Sequence, residues 1–139
     1  MKSICYDAKR VNEWVSQRIG RLSPWQSEYQ AIGIEKDGCL VGGVVVNGIV
    51  IGARCSIHCA GEGKFWLNRE FLRVVFHYVF NTLNCNVVIN PVDADNADSI
   101  RFTSHLGFKE SLRIPNGSKD CDLLIFTMPR ASCRWVAQE

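Results

Sequence analysis

The chain has 139 residues, of which 47% are apolar and 22% charged, with a formal net charge of +2; that length fits one domain over residues 1–139 and suffices to bury a core without covalent staples. So small a charge, with no dense Lys/Arg block, argues against nucleic acid as a partner, and no apolar run approaches the roughly 20 residues that span a bilayer. The first ten residues lack the apolar stretch of an export signal, and the seven cysteines are odd in number and form no C-x-x-C pair, so a cytoplasmic protein with free thiols is expected.

Lys2 to Tyr6 reads as a first strand, and Asp7 as the N-cap of a helix that carries Ala8, Val11, Val15 and Ile19 on one face and stops at Gly20. Arg21 to Ser27, with Pro24 beside Trp25, reads as a loop whose tryptophan either packs on the core or borders a substrate cleft. Alternation from Tyr29 to Glu35, turn chemistry at Lys36-Asp37-Gly38 and a β-rich answer from Cys39 to Val46 predict a hairpin. Asn47-Gly48 is a second turn signal, because both residues tolerate positive φ, and it predicts a third antiparallel strand over Ile49 to Cys59. In that strand Cys55 and Cys59 face one way and His58 the other, which argues against a zinc site built from the three.

Ala60-Gly61-Glu62-Gly63-Lys64 follows as a glycine-bearing loop. Beyond it Leu72, Val75, Phe76, Val79, Phe80 and Leu83 recur at helical spacing opposite a polar stripe of Glu70, Arg73, His77 and Asn81, which predicts a helix over Arg69 to Leu83 capped by Asn68. Strand, glycine loop and helix N-terminus in that order make either a tight turn or an anion site, since free amides and the helix dipole point into the loop. Asn86 to Val92 is then a strand interrupted by Pro91, and Asp95 or Asn96 caps a helix over Ala97 to His105 that Gly107 closes. Lys109 to Ile114 and Asp122 to Met128 are two further strands, joined through Pro115-Asn116-Gly117-Ser118. The order predicts an α+β fold: a mixed, mostly antiparallel twisted sheet with helices on both faces, the long helix joining two parallel strands by a right-handed crossover.

Ile57-His58-Cys59, the glycine loop and the run Glu70 to Phe80 resemble the fourth strand and third helix of the GNAT superfamily of acyl-CoA-dependent N-acetyltransferases, in its ribosomal-protein and related branches. Asn96-Ala97-Asp98-Ser99-Ile100-Arg101, with Leu106-Gly107-Phe108 after it, matches the N-x-x-S-x-R and L-G-F pattern of the fourth helix. The closing Met128-Pro129-Arg130, with Cys133-Arg134-Trp135 beyond, is similar to the tail of small phage and prophage members.

The resemblance implies a GNAT-like fold, acetyl-CoA as cosubstrate, and a cleft where the strands at Ile51 to Cys59 and Asn86 to Val92 splay apart. It implies that the backbone of Ile57 and Cys59 meets the pantetheine arm, that Gly61, Gly63 and Lys64 lie nearest the phosphates, and that Asn96 and Arg101 flank the cofactor. The phosphate loop departs from the family's R/Q-x-x-G-x-G/A pattern, with Phe65 or Trp66 where the glycine nearest the helix is expected. The tyrosine that many members use to protonate the thiolate falls at Thr103, counting from Asn96, leaving a hydroxyl in place of a phenol. His58 is the candidate base, since an ordinary histidine pKa of about 6.5 leaves it neutral and able to accept a proton; the alternative is a histidine bonded for structure. Two functions follow. One is an N-acetyltransferase passing an acetyl group directly to a primary amine, on a small molecule or a protein; the other is a non-catalytic binding or regulatory module on the same scaffold. Acceptor selectivity is expected from Asp7 to Ser27 and from Pro115 to Lys119, and the late strands offer an edge for a homodimer.

Overall fold

The computed structural model describes residues 2–63 and 68–136. Seven strands, β1 (Lys2–Cys5), β2 (Gln30–Lys36), β3 (Cys39–Val50), β4 (Arg54–Gly61), β5 (Val87–Asp93), β6 (Lys109–Ile114) and β7 (Leu123–Pro129), form one sheet in the order β1-β2-β3-β4-β5-β7-β6. Every neighbouring pair is antiparallel except β4 and β5. Three helices cover it: α1 (Ala8–Arg18), α2 (Arg69–His77) and α3 (Ala97–Leu106). Among the described residues no helix is long and apolar enough to cross a membrane.

Local chemistry sets the helix ends. Asp7, Asn68 and Asn96 each accept a bond from a first-turn amide, of Arg10 at 3.2 Å, Phe71 at 3.1 Å and Ser99 at 3.1 Å, and Gly107 leaves α3 at φ +113°. The β2–β3 hairpin turns on Asp37 and Gly38, both at positive φ, the geometry that matches strand twist.

The expected Asn47-Gly48 turn does not form. β3 runs through it to Val50, with a register shift between Asn47 and Val50, and the chain reverses one step later around Gly52 at φ +83°. Gly48 does adopt positive φ, at +57°, but it serves a bulge rather than a turn. The third strand is accordingly Arg54–Gly61 rather than Ile49 to Cys59, so Ala60 and Gly61 belong to a strand and not to the glycine loop. The long helix is α-helical only to His77 and continues as a π-helical segment, Tyr78–Thr82. Its six expected core positions are all buried, and Phe71 joins them.

The core has two parts, one on each face of the sheet. The larger lies under α2 and α3 and includes Ile32, Ile34, Val44, Val46, Ile57, Phe76, Phe80, Phe126 and Met128. The smaller lies under α1, where Val11 and Val15 meet Ala31, Leu40 and Val45. Ile19, expected on that buried face, is 39% exposed. α1 sits unusually close to the sheet because β2 and β3 present glycines beneath it. A Cβ on Gly43 would stand 2.8 Å from Val15 Cγ2 and 2.9 Å from Val11 Cγ1, and one on Gly33 would stand 2.8 Å from Val11 Cγ2.

Both valines are fully buried and stiff at χ1, so α1 has no soft contact to yield. Gly43→Ala is expected to destabilise the protein by about 1–3 kcal/mol through overpacking. Urea denaturation with an unchanged m-value would show it; a midpoint equal to that of the parent protein would mean that α1 is not seated this tightly.

Candidate functional site

β4 and β5 pair only over Arg54–Val87, Cys55–Val88 and Ser56–Ile89. The reason the ladder stops is covalent. Glu62 N–H donates to the Val41 carbonyl at 2.8 Å, so along β4 the even residues bond to β3 while Cys55, Ile57, Cys59 and Gly61 turn their backbone groups toward β5. On β5, Ala94 N–H donates to the Asp122 carbonyl at 2.9 Å, which turns the odd residues toward β4. In this register the Ser56–Ile89 pairing takes up the Ile57 N–H, and the next bond would run from residue 91 to the Ile57 carbonyl. Residue 91 is proline and has no N–H to give. The strands part there, leaving the Ile57 carbonyl and both backbone groups of Cys59 and Gly61 facing a gap.

That gap is a cleft of about 560 Å³. α3 lines one side with Asn96, Ser99, Phe102 and Thr103. Thr103 is buried, and its hydroxyl oxygen accepts from Asn90 Nδ2 at 3.1 Å. No other hydrogen bond engages the Thr103 hydroxyl among the described residues, so its proton is available to a group entering the cleft. Asn90 interrupts the buried apolar face of β5 between Val88 and Val92, and that polar break was the signal by which sequence reasoning, which passed over it, could have found it.

On the other side stand Arg18, Ile19 and His58. His58 Nε2–H donates to Asn47 Oδ1 at 2.9 Å, leaving Nδ1 as the ring's acceptor. The continuation of β3 that replaces the expected turn is what puts Asn47 there. The Trp25 ring lies 4.9 Å from the imidazole, and Trp25 is itself pinned by a buried residue on α1. Asn12 Nδ2 donates to the Trp25 carbonyl at 2.8 Å, and Asn12 Oδ1 accepts from the Trp25 amide at 3.1 Å and from Ser16 Oγ at 3.1 Å. Trp25 thus packs on the α1 core and meets the cleft only through the ring of His58. Burial, and then the charge of Arg21, push the His58 pKa down to about 4. The ring therefore stays neutral and is a far weaker proton acceptor than an ordinary histidine. Cys59 lines the cleft, but burial pushes its thiol up to about 12, which withholds the thiolate a nucleophile needs.

Of the residues expected at the site, His58, Thr103, Cys59, Gly61 and Asn96 line the cleft. Ile57 is buried by side chain and reaches the gap only through its carbonyl. Gly63 is exposed at φ +59° beyond the lining, and Lys64, with Phe65 and Trp66, falls outside the described residues. Arg101 is not brought to the cleft. It lies on the solvent face of α3, paired with Asp98 one turn earlier, because Asn96, Ser99 and Thr103 share a face from which position 101 is turned away. A larger hollow of about 840 Å³ lies outside α1, but it offers no unpaired strand edge, and the chemistry concentrates in the cleft.

Residues 2–109 match the family described as Acetyltransferase (GNAT) domain. No curated protein matches the chain. Among solved structures the chain is similar to mutant forms of the spermidine/spermine N-acetyltransferase SpeG from Vibrio cholerae, at 13% identity over 94% of this chain and 96% of that one with a TM-score of 0.75. It is also similar to the ribosomal-protein-S18-alanine N-acetyltransferase from Escherichia coli, at 18% identity over 100% and 97% with a TM-score of 0.65. A structure described as a probable acetyltransferase matches at 19% identity over 94% and 93% with a TM-score of 0.69.

The burial of His58 has a consequence for stability. Its pKa falls from 6.5 to about 4 on folding, so between those values the unfolded chain binds a proton that the folded protein refuses, and acidification through that window costs stability. The native protein is expected to lose about 3 kcal/mol more than His58→Gln between pH 6.5 and pH 4. Denaturation midpoints across that range would check it, and parallel profiles would contradict a buried, neutral His58.

Proposed function

The chain belongs to the GNAT acetyltransferase family, and from that premise we propose that it transfers an acetyl group directly from acetyl-CoA to a primary amine in the cleft between β4 and β5. We also read residues 1–139 as one domain, since β7, beyond the matched residues, lies between β5 and β6 in the sheet. The observation that carries the reading is the unpaired edge of β4. Acetyl-CoA supplies an activated acetyl thioester on a pantetheine arm whose amides alternate donors and acceptors as a strand does. The Ile57 carbonyl and the backbone of Cys59 and Gly61 complement such an arm as a missing strand would.

This chain's own residues then do three things. The edge of β4 orients the thioester, so the acyl carbon is held while the amine approaches from the His58 side, and proximity of this kind supplies much of a direct transfer. His58 Nδ1 accepts a hydrogen bond from the amine and aims its lone pair. With a pKa of about 4 it does not retain the proton, which passes to water. Thr103, oriented by Asn90, donates a hydrogen bond to the departing sulfur, and the thiolate takes up its proton from solvent. The balance is one amide and one CoA thiol from one amine and one thioester. Glu62 at the mouth is neutralised by Arg18 at 2.7 Å, which lowers its repulsion of the cofactor's phosphates.

Calorimetric titration with acetyl-CoA tests the reading, with two variants that act on the edge itself. Cys59→Pro removes an N–H that faces the gap and no bond to β3, and Pro91→Ala restores the donor that would pair with Ile57 and close the gap. Micromolar binding is expected, weakened about tenfold or more by each variant while circular dichroism stays native. Absence of binding up to millimolar acetyl-CoA in the parent protein would overturn the enzyme reading and leave the scaffold as a binding module.

A further inference from the structure

The loop between α1 and β2 carries an arginine that the reaction does not use. Arg21 lies 3.8 Å over the Trp25 ring and donates from Nε to the Ser23 carbonyl at 3.2 Å. These contacts fix the plane of the guanidinium, and on this exposed residue they leave both terminal nitrogens without a hydrogen bond among the described residues, the half of the fork that binds a carboxylate in two parallel bonds. Three other charged groups already have partners. Arg10 is held by Glu35 at 2.9 Å, Arg18 by Glu62 at 2.7 Å, and Asp93 accepts from Ser118 at 2.5 Å. Glu13 lines the outer hollow with Arg21 but makes no ion pair with it. Arg21 has no carboxylate partner among the described residues.

Its place matters as much as its charge. The Trp25 ring that carries Arg21 also touches the imidazole of His58, at 4.9 Å between centroids, and Asn12, 2% exposed, spends its amide donor and its carbonyl fixing the Trp25 backbone. A buried asparagine used in this way holds the loop ready without a ligand. A group bound at Arg21 would reach across Trp25 to the amine position beside His58.

We propose that the acceptor is a small primary amine bearing a carboxylate, and that Arg21, braced on Trp25, is the residue that selects it. This rests on the acetyltransferase reading above. A polyamine, cationic at both ends, would place a positive charge against Arg21 and is disfavoured by the same geometry.

Initial rates with saturating acetyl-CoA decide it, measured for a short series of ω-amino acids, for their ω-amino amides of equal length, and for spermidine. At the best chain length the native protein is expected to prefer the carboxylate over its amide by about tenfold to a hundredfold in kcat/KM, the value of a charge-assisted pair. Arg21→Gln should bring that ratio towards one, and Arg21→Lys should restore part of it, which a merely structural role in packing Trp25 would not do. A native ratio near one, a ratio unchanged in Arg21→Gln, a preference for spermidine, or turnover of none of the carboxylates while acetyl-CoA binds would each overturn the inference alone. Failure of acetyl-CoA to bind would instead overturn the reading beneath it, and the inference with it.

Discussion

The site depends on one missing hydrogen. A parallel ladder between β4 and β5 would ordinarily continue until one strand ended, and both strands run on past Ser56 and Ile89. Pro91 ends it by having no N–H for the Ile57 carbonyl. The cost is small because Pro91 points its ring nitrogen at the gap and not at β7, with which β5 stays paired along its whole length. β4 is likewise held on its other edge by β3 as far as Gly61. The cleft is therefore open between two strands that are each fixed from behind, so its width is a property of the sheet and not of a loop.

The second constraint comes through the glycines under α1. Gly33 and Gly43 let Val11 and Val15 sink onto the sheet, and that close approach sets where the polar residues of the same helix fall. Asn12 and Ser16 are buried beside those valines, Asn12 bonding the Trp25 backbone and Ser16 bonding Asn12, while Arg18, at the helix end, reaches Glu62 beyond β4. A packing decision in the core thus carries directly to the wall of the cleft opposite α3. Each wall rests on a buried polar residue that fixes its neighbour: Asn12 the Trp25 backbone on one side, Asn90 the Thr103 hydroxyl on the other.

What was legible in the sequence was what local chemistry decides. The caps at Asp7, Asn68 and Asn96, the αL glycine at 107, the Asp37-Gly38 turn and the buried stripe of α2 all follow from a few adjacent residues. Asn47-Gly48 misled because positive φ serves a bulge as well as a turn, and only the pairing with β4 distinguishes them. Asn12 and Asn90 were passed over because a buried asparagine is recognised by its partners, Trp25 and Thr103, which lie 13 residues away in each case. Pro91 was seen as an interruption of its strand, but its meaning required the register that sets it against Ile57. Arg101 was carried over with a motif, and the helical phase of α3 turns it to solvent.

The chemistry left to such a site is chemistry of position. Its histidine is buried to a pKa of about 4 and its thiol to about 12, so neither titrates near neutrality, where an acid or base works best. At the position where the resemblance implies a phenol there is a threonine, able to donate a hydrogen bond but not readily a proton. What remains well made is alignment. A strand edge is held open by a proline, an imidazole is fixed in one tautomer by Asn47, a hydroxyl is oriented by Asn90, and a tryptophan is locked by Asn12. Alignment of reacting groups is worth about 7–11 kcal/mol when it is good. In the reaction proposed above, that is enough for an intrinsically reactive thioester and an amine that arrives neutral, and it would tie the rate to the acceptor's own pKa more closely than to that of any residue in the wall.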